Sequence, residues 1–150
     1  MCAVTTSRFR DGGAYLRELA HEVLAVCPSC GGRVTAVTRD GMRRAACPAC
    51  GWIREVTTRA STWGGPEEPY LGLPLWLRTE CCGEVLWAFN AEHLDLLEGY
   101  VSAGLRERTD RGRTQSVAER LPAWLKSAKN RDEVLAAIAR LRERLNYTVV

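Results

Sequence analysis

Two short stretches, Cys27-Pro28-Ser29-Cys30-Gly31 and Cys47-Pro48-Ala49-Cys50-Gly51, decide how this chain folds. Sixteen residues separate Cys30 from Cys47, so the pattern is C-x2-C-x16-C-x2-C, a four-cysteine metal spacing. Each pair offers two thiolates, and two pairs complete a tetrahedron with no open position. A closed all-sulfur site is structural, because a catalytic zinc keeps a place for water. The expectation is one Zn2+ held by Cys27, Cys30, Cys47 and Cys50.

Working outward, the stretch between the pairs reads as a hairpin. Arg33 to Thr38 alternates and is β-branched, Asp40-Gly41 is a two-residue turn signal, and Met42 to Ala46 returns. Trp52 to Thr57 alternates again. Val23 to Val26 leads, extended, into the first cysteine pair, after a short helix over Ala14 to His21. These features predict a three-stranded zinc ribbon over residues 23–58, preceded by an N-terminal segment, 1–22.

Both Cys-Pro-x-Cys-Gly motifs, the second followed by Trp52, stand around a short hairpin. In this the stretch resembles the zinc ribbons of transcription factors and RNA polymerase subunits, and small bacterial proteins carry similar ribbons. The resemblance covers about a quarter of the chain. It implies a β-ribbon used as a docking surface for nucleic acid or for a nucleic-acid machine. The cyclin-like helical repeats that follow the ribbon in a general initiation factor are not in this sequence.

Residues 59–74 read as a Pro/Gly linker, from Trp63-Gly64-Gly65-Pro66 to Gly72 and Pro74. Beyond it, residues 75–150 form a second module. Leu75 to Thr79 and Val85 to Phe89 read as strands around a turn at Cys81-Cys82-Gly83-Glu84. Asn90 caps a helix expected to reach Arg108, with Leu94, Leu97, Val101 and Leu105 on one face. Ser116-Val117-Ala118-Glu119 is a capping box, Pro122 opens a short turn carrying Trp124 and Leu125, and Asn130 caps a last helix reaching about Leu145. The fold class is therefore α+β: a zinc ribbon, then a β-hairpin and a small helical module.

The 150 residues carry a net charge of +3, unevenly placed. Residues 1–59 hold nine basic and five acidic groups, 60–104 one basic and seven acidic, and 105–150 eleven basic and six acidic. Two basic ends could face an anionic partner. Arg39, Arg43, Arg44 and Arg54 project from the ribbon and, with Trp52, could track a phosphate backbone and stack bases. Arg106, Arg108, Arg111 and Arg113 are further phosphate candidates. The expected role is a small cytosolic accessory protein binding DNA, RNA or a nucleic-acid complex. The alternative is a protein–protein adapter, homodimeric in one version, in which zinc is only a staple.

Seven cysteines, an odd number, argue against a disulfide framework and for a reducing, cytoplasmic setting. No apolar run is long enough to span a membrane. Cys81 and Cys82 read as one buried thiol and one turn thiol, or as a redox pair. A Cys82–His93–Asp95 nucleophile set can be drawn, but a partly buried helical histidine explains His93 more simply. With no nucleotide or hydrolase motif present, the reading is that the chain is not an enzyme.

Overall fold

The structure, a computed structural model, describes residues 8–10, 16–103, 105–107 and 121–146. Chain order is β1 (Arg8–Arg10), α1 (Leu16–Leu19), β2 (Glu22–Val26), β3 (Arg33–Arg39), β4 (Met42–Ala46), β5 (Ile53–Thr57), β6 (Leu77–Cys81), β7 (Glu84–Ala88), α2 (Ala91–Ser102), β8 (Leu105–Glu107), α3 (Ala123–Lys126), a 3-10 turn (Ala128–Asn130) and α4 (Arg131–Asn146). The fold is α+β, as the sequence predicts. No helix among the described residues is long and apolar enough to cross a membrane.

The metal-spaced half is a four-stranded antiparallel sheet, β2-β3-β4-β5, rather than three strands. The extra strand is Glu22–Val26, in register with Val37 to Arg33. Its run Val23-Leu24-Ala25-Val26 has no polar face because both of its faces are covered. Val23 and Ala25 pack with Val34, Ala36 and Ala45. Leu24 joins the other core, beside Trp76, Leu77, Leu94 and Ile138, with Val26 against it. The β3–β4 connection is the Asp40-Gly41 turn, with φ of 52° and 74°, which suits a two-residue hairpin.

Residues 59–74, expected to be a linker, pack onto the sheet. Leu71 and Leu73 are buried, and so is the Glu68 side chain. The chain then runs beside β2: Val26 N–H donates to Pro74 C=O (2.9 Å), Trp76 N–H to Leu24 C=O (3.0 Å) and Leu24 N–H to Phe89 C=O (2.8 Å). This side of the sheet is closed by main chain.

β6 and β7 form the expected hairpin, turning through Cys82 (φ 56°) and Gly83 (φ 76°). Asn90 caps α2, its Oδ1 accepting from His93 N–H at 2.9 Å, while its amide donates to Leu19 and Glu22 C=O. The helix ends at Ser102 rather than Arg108, because Ala103 is extended and β8 follows to pair in parallel with β1. Gly104, a poor helix former, marks the break in the sequence.

The capping box at 116–119 lies outside the described residues. Asn130 does not cap α4 as expected. Its side-chain amide donates to Trp124 C=O at 2.8 Å, and a 3-10 turn leads into the helix instead.

α4 ties the halves together. Arg144 stacks over Trp76 (3.8 Å to the ring centroid) and donates to its C=O, while Trp76 Nε1–H donates to Arg144 C=O at 2.9 Å. Arg33 of β3 donates to Leu145 C=O at 2.7 Å, a cation at a helix C-terminus.

Candidate metal centre

The two cysteine pairs sit in matching turns at one end of the sheet, one joining β2 to β3 and the other β4 to β5. In the first, Gly31 N–H donates to Cys27 C=O (2.9 Å) and Cys27 N–H to Gly32 C=O (2.8 Å). In the second, Gly51 N–H donates to Cys47 C=O (2.8 Å) and Cys47 N–H to Trp52 C=O (2.8 Å). Gly31 and Gly51 have φ of 76° and 80°, so a side chain there would be strained. At Gly32 the constraint is space, since a Cβ would stand 3.2 Å from the Cys30 sulfur.

These turns bring the four Sγ atoms within 4.8 Å of one another. Cys27 and Cys50 are 3.7 Å apart, and Cys30 and Cys47 are 3.5 Å apart. A tetrahedral ion with sulfur at about 2.3 Å needs sulfurs about 3.8 Å apart. The four cysteines therefore fit one metal ion. Ser29 N–H points at Cys27 Sγ (3.4 Å) and Gly32 N–H at Cys30 Sγ (3.3 Å), the amide support that thiolate ligands use. Cys27 and Cys47 are buried; Cys30 and Cys50 reach the surface.

The sulfurs resist ionising together. Burial pushes the Cys27 thiol up, but the amides of Cys30 and Ser29 outweigh it and bring it to about 7. At Cys30 the Gly32 amide favours the thiolate, yet the neighbouring Cys47 and Cys50 sulfurs and burial carry it to about 12. One proton leaves easily, and the next leaves only against its neighbours. A divalent cation removes that conflict, so loading the site releases protons.

The ribbon arginines do not form one surface. Strand register puts Thr35, Val37 and Arg39 on the same face as Met42, Arg44 and Ala46, and as Ile53, Glu55 and Thr57. Arg39 is exposed there, and Arg44 has its Nε 3.8 Å from Glu55. Arg54 is exposed on β5 in register with Ala45, on the opposite face. Arg43 does not project at all: its exposure is 0%. Its Nε donates to Glu68 Oε1 (2.8 Å), and its Nη1 to Ala20 C=O (2.9 Å) and Thr38 Oγ1 (3.0 Å). The guanidinium also lies over the Tyr70 ring, 5.1 Å from its centroid. Glu68 Oε2 accepts from the amides of Tyr70 and Leu71.

Reading Arg43 as a phosphate contact is therefore corrected. An arginine with a buried carboxylate partner is a core residue, and Glu68 arrives from the segment taken as a linker. Trp52 is partly buried against the inner core rather than free to stack. Arg106 lies in β8, and Arg108, Arg111 and Arg113 lie outside the described residues.

Cys82, His93 and Asp95 each have their own partners. The Cys82 thiol donates to Glu133 Oε2 at 2.9 Å, and Glu133 pushes it up to about 12. Cys81 is buried, its sulfur 3.4 Å from that of Cys82. Asp95 pairs with Arg142 at 2.7 Å. His93 is 2% exposed, its Nδ1 accepting from Phe89 N–H at 3.0 Å, and burial lowers it to about 4. Comparison with protein-family models, with curated proteins and with solved structures found no match for this chain.

Proposed function

We propose that the four cysteines hold one structural Zn2+ and that the sheet it closes is a protein-docking element, which makes the chain a small adapter. The observation that carries this reading is the free side of the sheet. Among the described residues β5 has no strand beyond it, and four of its five residues are exposed. Ile53, 53% exposed, shares the outer face with exposed Val37 and Met42. An open edge beside apolar side chains suits an extended segment of another protein, added as a further strand.

The nucleic-acid reading draws on Arg39 and Arg44, which share that face, and is the alternative. It is weakened by the burial of Arg43 and by the placement of Arg54 on the other face. Thiolate ligands and a free Cys81–Cys82 pair suit a reducing, cytosolic setting. We assign the chain no catalytic step.

The test uses full-length protein with its zinc content measured. A stoichiometric protein partner that survives nuclease, and is lost in a Val37→Lys/Ile53→Lys variant that still binds one zinc, supports the adapter. A salt-sensitive electrophoretic shift of DNA or RNA, lost in an Arg39→Ala/Arg44→Ala variant, would replace it with the nucleic-acid reading.

A further inference from the structure

A second feature lies away from the cysteine centre. Between the Trp63-Gly64 loop, β7, α2 and α3 there is a cavity of about 330 Å³, within the size range of small-molecule sites. Trp63, Trp87, Trp124, Leu86, Leu97 and Leu125 are among its walls, and among the described residues no Asp, Glu, Lys or Arg lines it. Trp87, Phe89 and His93 brace one another as a ring cluster, with centroids 5.2–5.6 Å apart.

His93 is the one ionisable side chain among the described walls. Its Nδ1 is occupied by Phe89 N–H, so the proton of the neutral ring sits on Nε2. Among the described residues Nε2 has no hydrogen-bond partner, and it is not sealed off from open space as the Arg43 Nη2 and Arg131 Nε atoms are. An N–H that no protein group pairs is free to meet an acceptor on a ligand. The nearest described cation, Arg17, is stacked over the Trp63 ring, 5.0 Å from its centroid, and is not itself among the walls, so a carboxylate or phosphate would find no countercharge among the described walls. A cation would meet the positive end of the Nε2–H bond and no carboxylate.

We propose that this cavity binds a flat, uncharged aromatic molecule of about two fused rings, stacked among the tryptophans, with one acceptor on the Nε2–H of His93. The site is independent of the adapter reading.

The probes are 2-acetylnaphthalene and 2-isopropenylnaphthalene, which share a shape and differ in the carbonyl acceptor. NMR titration of the zinc-loaded, 15N-labelled full chain follows the indole and imidazole nitrogens. The expected result is a saturable shift of the Trp87 and Trp124 indole signals and of His93 Nε2. The ketone should bind about tenfold tighter than the hydrocarbon.

His93→Asn keeps an acceptor for Phe89 N–H and removes the donor, and should reduce that preference to under about twofold. Trp124→Ala, on the short α3, should weaken both probes. If His93→Asn fails to fold, the Nε2 shift in the unaltered protein still decides the point. No saturable shift up to the probes' solubility, equal affinity for the two probes, or binding unchanged in Trp124→Ala would overturn the proposal. So would cross-relaxation in the free protein between Val117 or Ala118 methyls and the Trp87 ring, since the chain would then fill its own cavity.

Discussion

The two edges of the β2–β5 sheet belong to the same small element and have opposite fates. On the β2 side, main chain from residues 74–76 and Phe89 completes the hydrogen bonding, and three of the strand's five residues are buried. On the β5 side nothing among the described residues adds a strand, and none of the five residues is buried. The covered edge is where the sheet belongs to the rest of the fold. The bare edge depends on its cross-strand pairing and on the cysteine centre. Exposed edges invite pairing with another chain, and charged residues such as Arg54 and Glu55 are one way proteins restrain that.

Metal removal should separate the edges most strongly. Structural zinc contributes about 10–16 kcal/mol in finger peptides. Chelation, or Cys47→Ser, should abolish hydrogen-exchange protection in β4 and β5 while α2, α4 and the amide of Leu24 keep theirs. Equal loss at both edges would break the distinction.

Next in size is the buried pair that joins the sheet to residues 59–74. Arg43→Ala leaves Glu68 buried without its cation and should cost about 3–5 kcal/mol in urea unfolding of the zinc-loaded protein. Arg44→Ala, one residue away on the exposed face, should stay within about 0.5 kcal/mol.

His93 supports the covered edge, because it accepts from the N–H of Phe89, the residue whose C=O receives Leu24 N–H. Its ring, normally near 6.5, is brought to about 4 by burial. The unfolded chain takes up this proton as pH falls below 6.5 and the folded chain does not until about 4. The stability is thus whole above 6.5 and lost on acidification across that window. At pH 5 the loss is about 2 kcal/mol. It should appear as the difference between the parent protein and His93→Asn, a comparison from which acid release of the metal cancels. A difference that does not change between pH 7 and 5 would refute it. The smallest effect belongs to the bare edge, where Ile53→Thr should change stability by no more than about 0.5 kcal/mol. Leu24→Ala on the covered edge should cost about 2–5 kcal/mol.

Much of this arrangement is legible in the residues. The cysteine spacing, the Asp40-Gly41 turn, the β6–β7 hairpin and the Asn90 cap are local signals, and the structure carries each where the pattern places it. Arg43 is different. Alternation along β4 sets it on the same face as Ala45, which is an inward sign, but an adjacent Arg44 gives the pair the look of a basic patch. Only Glu68, brought in by a stretch rich in Pro and Gly, reverses that reading. The same stretch hides Leu71 and Leu73 among turn residues. The all-apolar run Val23 to Val26 signals a strand buried on both sides, but its cover comes from Trp76 and Phe89, far along the chain. The cavity at His93 is assembled from stretches as far apart as Leu16, Trp63, Trp87 and Trp124, and no spacing rule links them.

The cover of β2 also has a consequence for the order in which the protein can be made. Every strand of the sheet and all four clustered cysteines lie before residue 58, so this half can assemble while the ribosome is still at work on the remainder. The carbonyl that closes Leu24 belongs to Phe89. At roughly 5–20 residues per second, the nascent sheet spends a few seconds with both margins open, one of them lined by Leu24 and Val26. In that interval the molecule is most exposed to mispairing with a neighbouring nascent chain, and with a metal in the proposed site the supply of that metal during translation would govern how soon its other margin is set.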